Sequence, residues 1–145
     1  MYKKHFNLEV GLKIREMLQK EYEDVDVRMS RTNDSFISLE RRSRMAVEWG
    51  ADGFVSVHFN AASIGASGTE TYMHSNSNLP GLRNNLHSSI LTALRTQGTV
   101  NDRGMKRANF AVLRGTYQKD ENGPHRITIS NQPKRRFVTH AAWNY

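Results

Sequence analysis

Apolar residues at helical spacing give way near residue 24 to apolar residues at every second position, and the chain goes on exchanging the two periods. Phe6, Val10, Ile14, Met17 and Leu18 share one helical face, widened by Leu8 and Leu12, which predicts a helix over about Phe6 to Tyr22. Val25, Val27 and Met29 then alternate with Asp26 and Arg28, the pattern of a strand with one polar face. A second helix is expected over Leu39 to Trp49, with Ser38 as its N-cap and Gly50 placed to stop it. Phe54-Val55-Ser56-Val57 follows as a compact strand of the kind covered on both faces. Beyond a Gly/Ser/Ala loop over 62–68, Thr69 to Met73 reads as a strand by its β-branched and aromatic content. Leu82, Leu86, Ile90, Leu91 and Leu94 mark another helix, Asn101-Asp102-Arg103-Gly104 carries turn chemistry, and Phe110 to Leu113 reads as a last short strand. The fold class is therefore α/β: a twisted, largely parallel sheet flanked by helices on both faces. In such sheets, sites lie beyond the carboxyl ends of the strands.

Composition narrows the partners. The chain has 145 residues, one domain's worth, with a net charge of +7 and a hydrophobic share of 37%, enough for a modest core. Having no cysteine, it must take any metal through His, Asp or Glu. No apolar run approaches the roughly 20 residues that span a bilayer, and residues 1–5 lead into an amphipathic segment rather than the apolar stretch of a signal peptide. The positive charge favours an anionic partner, either nucleic acid or a cell-surface polymer. Nucleic acid has the weaker case, because the cluster Lys134-Arg135-Arg136 is short, no aromatic residues interleave with it, and no module signature is present. Residues 117–145 hold five basic and two acidic side chains, Pro124 and Pro133, and no leucine. With Ile127, Ile129 and Val138 as their only aliphatic residues beyond alanine, they are expected to be irregular, a basic tail after a domain over 1–116.

The carboxyl-end rule singles out His58, directly after Phe54 to Val57. An imidazole there serves as metal ligand, as general base, or simply as a hydrogen-bonded strand-end residue, and position alone leaves all three open. Glu70 stands just past the glycine loop, as a base, as a partner behind a metal-bound histidine, or as a surface carboxylate. Arg31 and Arg42 are candidates for holding an anionic substrate, against the ordinary reading of arginine as a solvated residue.

Several stretches, taken in order, resemble the catalytic domain of the zinc-dependent N-acetylmuramoyl-L-alanine amidases of the type-3 group, peptidoglycan hydrolases of sporulating bacteria and their phages. They are Phe6-Asn7-Leu8, Ser30-Arg31-Thr32-Asn33-Asp34, Leu39 with Arg42, Trp49-Gly50-Ala51-Asp52, Ser56-Val57-His58-Phe59-Asn60-Ala61, Gly68-Thr69-Glu70-Thr71-Tyr72, and Arg103 through Arg114. The order and spacing hold over roughly residues 4–116. The resemblance implies zinc held by two histidines and a glutamate, with a late glutamate taking a proton from the metal's water. It implies that His58 is a metal ligand and that Asn60 and Arg31 face substrate.

The rest of the family's set is expected to be missing. The first histidine would precede Met1, and Lys3 stands where the ligand glutamate belongs, four residues before Asn7. Tyr117 through Arg126 match nothing of the segment that bears the late glutamate, so the family's general base is not matched and the catalytic residue is unassigned, with Glu70 as a candidate partner behind the metal-bound histidine. Reading the codons from Asp120 onward one nucleotide later permits a string close to that segment, so the residues after about Thr116 are expected to be a frameshift product. The expectation is an amidase by descent, impaired or inactive in this chain, acting on peptidoglycan as a monomer and not on nucleic acid. The cell wall is its place of action, reached at lysis as by an endolysin or autolysin, or by another route. The alternative is a non-catalytic remnant of the same fold that binds wall polymer.

Overall fold

Six of the elements read from periodicity form where they were expected. A computed structural model describes residues 3–59, 68–77, 80–117, 119–120, 123–124 and 135–141. The order is α1 (Lys3–Glu21), β1 (Val25–Met29), α2 (Leu39–Glu48), β2 (Gly53–Val57), β3 (Thr69–His74), α3 (Gly81–Arg95), β4 (Asp102–Ala108), α4 (Ala111–Thr116), β5 (Lys119–Asp120), β6 (Gly123–Pro124) and β7 (Arg135–Ala141). The class is α/β with parallel strand pairs. The chain divides into two compact units, residues 1–60 with 125–145, and residues 61–124.

In the first unit the sheet order is β1-β7-β2, with both pairs parallel. Val25 to Met29 pair with Arg135 to Thr139, and Gly53 to Val57 pair with Phe137 to Ala141. Part of the segment expected to be irregular is thus the central strand. Phe137-Val138-Thr139 is β-favouring, and two flanking strands supply the backbone partners that its own neighbourhood in sequence lacks. Helix α1 packs on this sheet, and its buried positions are Asn7 and Gly11, while Phe6 and Met17 are exposed. Helix α2 is bounded as its sequence dictates. The Ser38 hydroxyl accepts from the Arg41 N–H at 3.2 Å. At the other end Gly50, at φ +64°, donates to the Val47 carbonyl and Ala51 to the Ala46 carbonyl, the paired closure of a glycine-capped helix. Val27, Met29 and Ala46 form the apolar core together with buried polar residues, of which Asn7 and Arg42 are the largest fully buried side chains described.

In the second unit β3 and β4 pair in parallel, with α3 and α4 against them and Met73, Leu91 and Val112 buried. Two sequence readings are corrected here. Asn101 to Gly104 is not a free turn: Asp102 opens β4, and the register steps from Thr69↔Asp102 to Thr71↔Met105, so the turn-forming residues make a bulge with Gly104 at φ +88°. Phe110 to Leu113 is not a strand, because only Phe110 is extended and Ala111 begins α4. A four-residue apolar run does not distinguish strand from helix by period.

Candidate functional site

Parallel pairing places the carboxyl ends of β1, β7 and β2 on one edge of the first unit's sheet. Ser30 and Arg31 leave β1 there, and His58 and Phe59 leave β2. The first turn of α1 comes to the same edge, where the Phe6 and Phe59 rings meet edge to face with centroids 4.4 Å apart. Arg31 ties the pieces together, donating from Nη2 to the Lys4 carbonyl and from Nη1 to the Asn33 carbonyl, each at 2.8 Å. Its side chain is 1% exposed. Burial lowers its pKa and Asp34, 3.8 Å away, acts against that shift.

The first turn of α1 contains no acidic residue, and Asp34 supplies the negative charge that the helix's positive end favours. Its carboxylate accepts from Lys4 Nζ at 2.5 Å and lies 3.6 Å from His5 Nε2. The Lys4 hydrogen bond is the main cause of its lowered pKa.

His58 stands at the carboxyl end of β2, where the strand rule puts it, and its ring is exposed. Strand alternation brings Ser56 to the same face, and the Ser56 hydroxyl lies 2.8 Å from His58 Nε2. Asn60 lies outside the described residues. Lys3 is the first residue of α1. Arg42 is 1% exposed inside the core, and Arg31 directs Nη1 and Nη2 to the chain's own carbonyls. Among the described residues no group of three or more His, Asp or Glu is arranged to hold a metal ion. The zinc set implied by resemblance therefore does not fit what is described, since one exposed histidine beside a serine offers a single strong ligand.

In the second unit Glu70 accepts from Lys106 Nζ at 2.6 Å and Arg103 Nε at 3.2 Å. The Lys106 hydrogen bond leads in lowering its pKa. Two cations thus keep this carboxyl ionised, whereas a general base works best with a pKa near the operating pH. The sign of the shift has a consequence for stability. A depressed folded pKa contributes stability that is full above the unfolded value of about 4.3 and is lost as pH falls through the folded value. The thermal midpoint is expected to fall between about pH 5 and 3 at low salt, and to fall less steeply in Glu70→Gln. Equal slopes for parent and variant would dismiss the pair as a contributor.

Sequence reasoning missed two clusters in this unit. His87 is 3% exposed, its Nδ1 2.6 Å from the Thr71 hydroxyl and its Nε2 2.9 Å from Asp102 Oδ1. One imidazole thus joins β3, α3 and β4. At the carboxyl ends of β3 and β4, the His74 ring stacks on Tyr117 at 4.3 Å and its Nε2 lies 3.2 Å from Asn109 Oδ1. Asn109 and Arg114 stood inside a motif stretch, the one available signal; His87 was hidden in an apolar helix stripe.

Comparison with known proteins gives a family match to the N-acetylmuramoyl-L-alanine amidase model over residues 1–120. An N-acetylmuramoyl-L-alanine amidase of Bacillus licheniformis is 40% identical over 118 residues, covering 80% of this chain and 44% of the relative. A sporulation-specific N-acetylmuramoyl-L-alanine amidase of Bacillus subtilis is 37% identical over 116 residues, covering 79% of this chain and 43% of the relative. The chain spans less than half the length of these two relatives. The crystal structure of an N-acetylmuramoyl-L-alanine amidase from Clostridium difficile superposes with a TM-score of 0.72 at 35% identity, covering 80% of this chain and 62% of that one.

Proposed function

We propose a function from one premise: the chain belongs to the N-acetylmuramoyl-L-alanine amidase family, whose model matches residues 1–120. That match carries the reading, and the substrate inferred from it is peptidoglycan. Hydrolysis adds water across the amide between the lactyl carboxyl of N-acetylmuramic acid and the amine of L-alanine. The products are a free carboxylate on the sugar and a new amino terminus on the peptide.

Zinc dependence is general in the family, where the metal polarises the carbonyl and acidifies a bound water. Here His58 keeps the ligand position, Lys3 stands at the glutamate's position, and Glu70 is engaged by two cations. A protonated ammonium has no lone pair for a metal. The chain is therefore an amidase scaffold that holds peptidoglycan and turns it over about three powers of ten or more below its Bacillus licheniformis relative.

The test is to incubate the chain with purified bacterial cell walls and added zinc, then measure both co-sedimentation and the appearance of amino-terminal alanine. Co-sedimentation with little release supports the reading. Release at the relative's rate overturns the impairment, and a chain that neither sediments with walls nor releases alanine overturns the assignment altogether.

A further inference from the structure

The β3–β4 pair is electrically polarised along its strands. Between residues 68 and 117 the acidic residues are Glu70 and Asp102. Both lie toward the amino ends of the parallel pair, Glu70 engaged by Arg103 and Lys106 and Asp102 by His87 and the Gly104 N–H. At the opposite edge, where His74 pairs with Ala108, stand Arg107 and Arg114. Among the described residues neither of these arginines faces a carboxylate.

Both arginines are exposed, and their acceptors are neutral oxygens. Arg107 Nη1 donates to the Ser75 carbonyl at 3.0 Å and the Ser77 carbonyl at 2.5 Å. Arg114 Nη1 donates to the Asn109 carbonyl at 3.1 Å, with Asn109 Oδ1 at 3.4 Å. Among the described residues Nη1 is the nitrogen engaged in each case, so the Nε–Nη2 side of the guanidinium, which matches a carboxylate with two parallel hydrogen bonds, is turned to neither carbonyl. The anchoring bonds hold the two forks in place before any ligand arrives, which reduces the ordering cost of binding.

Asn109 is held as well. The Asn76 N–H donates to His74 Nδ1 at 3.3 Å, which puts the ring's proton on Nε2, and this donates to Asn109 Oδ1. With the amide oxygen engaged by His74, the Asn109 amide nitrogen has no acceptor among the described residues and stands as a neutral donor at the same edge as the two arginines. Tyr117 stacks on His74 and donates to the Asn76 carbonyl at 3.3 Å, closing the network.

We infer that this edge is a carboxylate-recognition site for an acidic peptide, with Arg107 and Arg114 as the charged forks and Asn109 as the neutral donor. The inference deepens the peptidoglycan reading and rests on it, because it assigns the peptide stem, rather than the sugar, to the second unit.

The experiment titrates the whole ¹⁵N-labelled chain with the tripeptide alanyl-γ-glutamyl-lysine, its fully amidated counterpart, and inorganic phosphate. The free tripeptide is expected to shift the Asn109 side-chain amide and the Nε–H signals of Arg107 and Arg114, binding at least tenfold tighter than the amidated form. The double variant Arg107→Gln/Arg114→Gln should lose this binding, and Arg114→Lys should keep part of it. Should the double variant not fold, Arg107→Lys and Arg114→Lys are read singly, each with weakened tripeptide binding expected. Equal binding of the amidated peptide overturns the inference, as does a folded double variant that binds like the parent. Phosphate binding as tightly as the tripeptide overturns the peptide assignment in favour of a general anion site. The titration needs neither walls nor turnover: peptide binding without wall co-sedimentation leaves the site standing and removes the function proposed above, and the reverse result removes the site alone.

Discussion

Val138→Pro removes the folded state of the first unit's sheet. Val138 is paired with Arg28 on one side and Phe54 on the other, so its backbone lies inside the ladder with no solvent-facing edge. Proline there has no N–H to donate, and its ring excludes it from central strands. The loss comprises a ladder hydrogen bond, an acceptor left buried, and steric distortion, together about 3 kcal/mol or more. Against a total stability of about 5–15 kcal/mol that is a large share, and it falls on the strand that joins β1 to β2. Without the central strand, β1 and β2 would stand two strand spacings apart, about 10 Å, beyond direct hydrogen bonding. Amide exchange is the readout: Val25–Met29 and Gly53–Val57 should lose protection together. Parent-like protection of those ten residues would mean that β7 does not hold the sheet.

Arg31→Ala is expected to cost about 2–4 kcal/mol, measured by chemical denaturation. The guanidinium bridges carbonyls that are 27 and 2 residues away in sequence, and truncation removes both bonds and leaves a cavity where the buried guanidinium stood. Arg31→Lys should recover less than half of the loss, because one ammonium on a flexible stem does not reproduce two donors fixed in a plane. An alanine variant within about 0.5 kcal/mol of the parent would reduce the bridge to an ordinary surface contact.

The sequence made the local elements legible. Val25 to Met29 was bounded correctly because alternation is a property of five adjacent residues, and Ser38 and Gly50 marked the ends of α2 by chemistry that acts within one turn. Long-range pairing was not legible. Arg135 to Ala141 carries three β-favouring residues among basic ones, and its partners lie roughly 80–110 residues away, so no periodicity announces a central strand. β4 was hidden for a different reason, its polar residues and a bulge glycine having the composition of a turn.

At the candidate site, the placement of His58 followed from the strand rule alone. The fates of Arg31 and Glu70 did not, because whether a charged residue meets a ligand or another part of its own chain depends on partners that spacing does not reveal. Arg31 meets the Lys4 carbonyl, and Glu70 meets residues 33 and 36 positions later.

The order β1-β7-β2 also sets a timetable. β2 ends at residue 57 and β7 begins at residue 135. At about 5–20 residues per second, a ribosome takes several seconds to make the stretch between them. Throughout that interval β1 and β2 exist without the strand that joins them, each with unpaired backbone along an edge that is interior in the finished sheet. Holding that edge, in chaperone-depleted translation or at high expression, is then the step that decides whether newly made chains become folded monomers or aggregates.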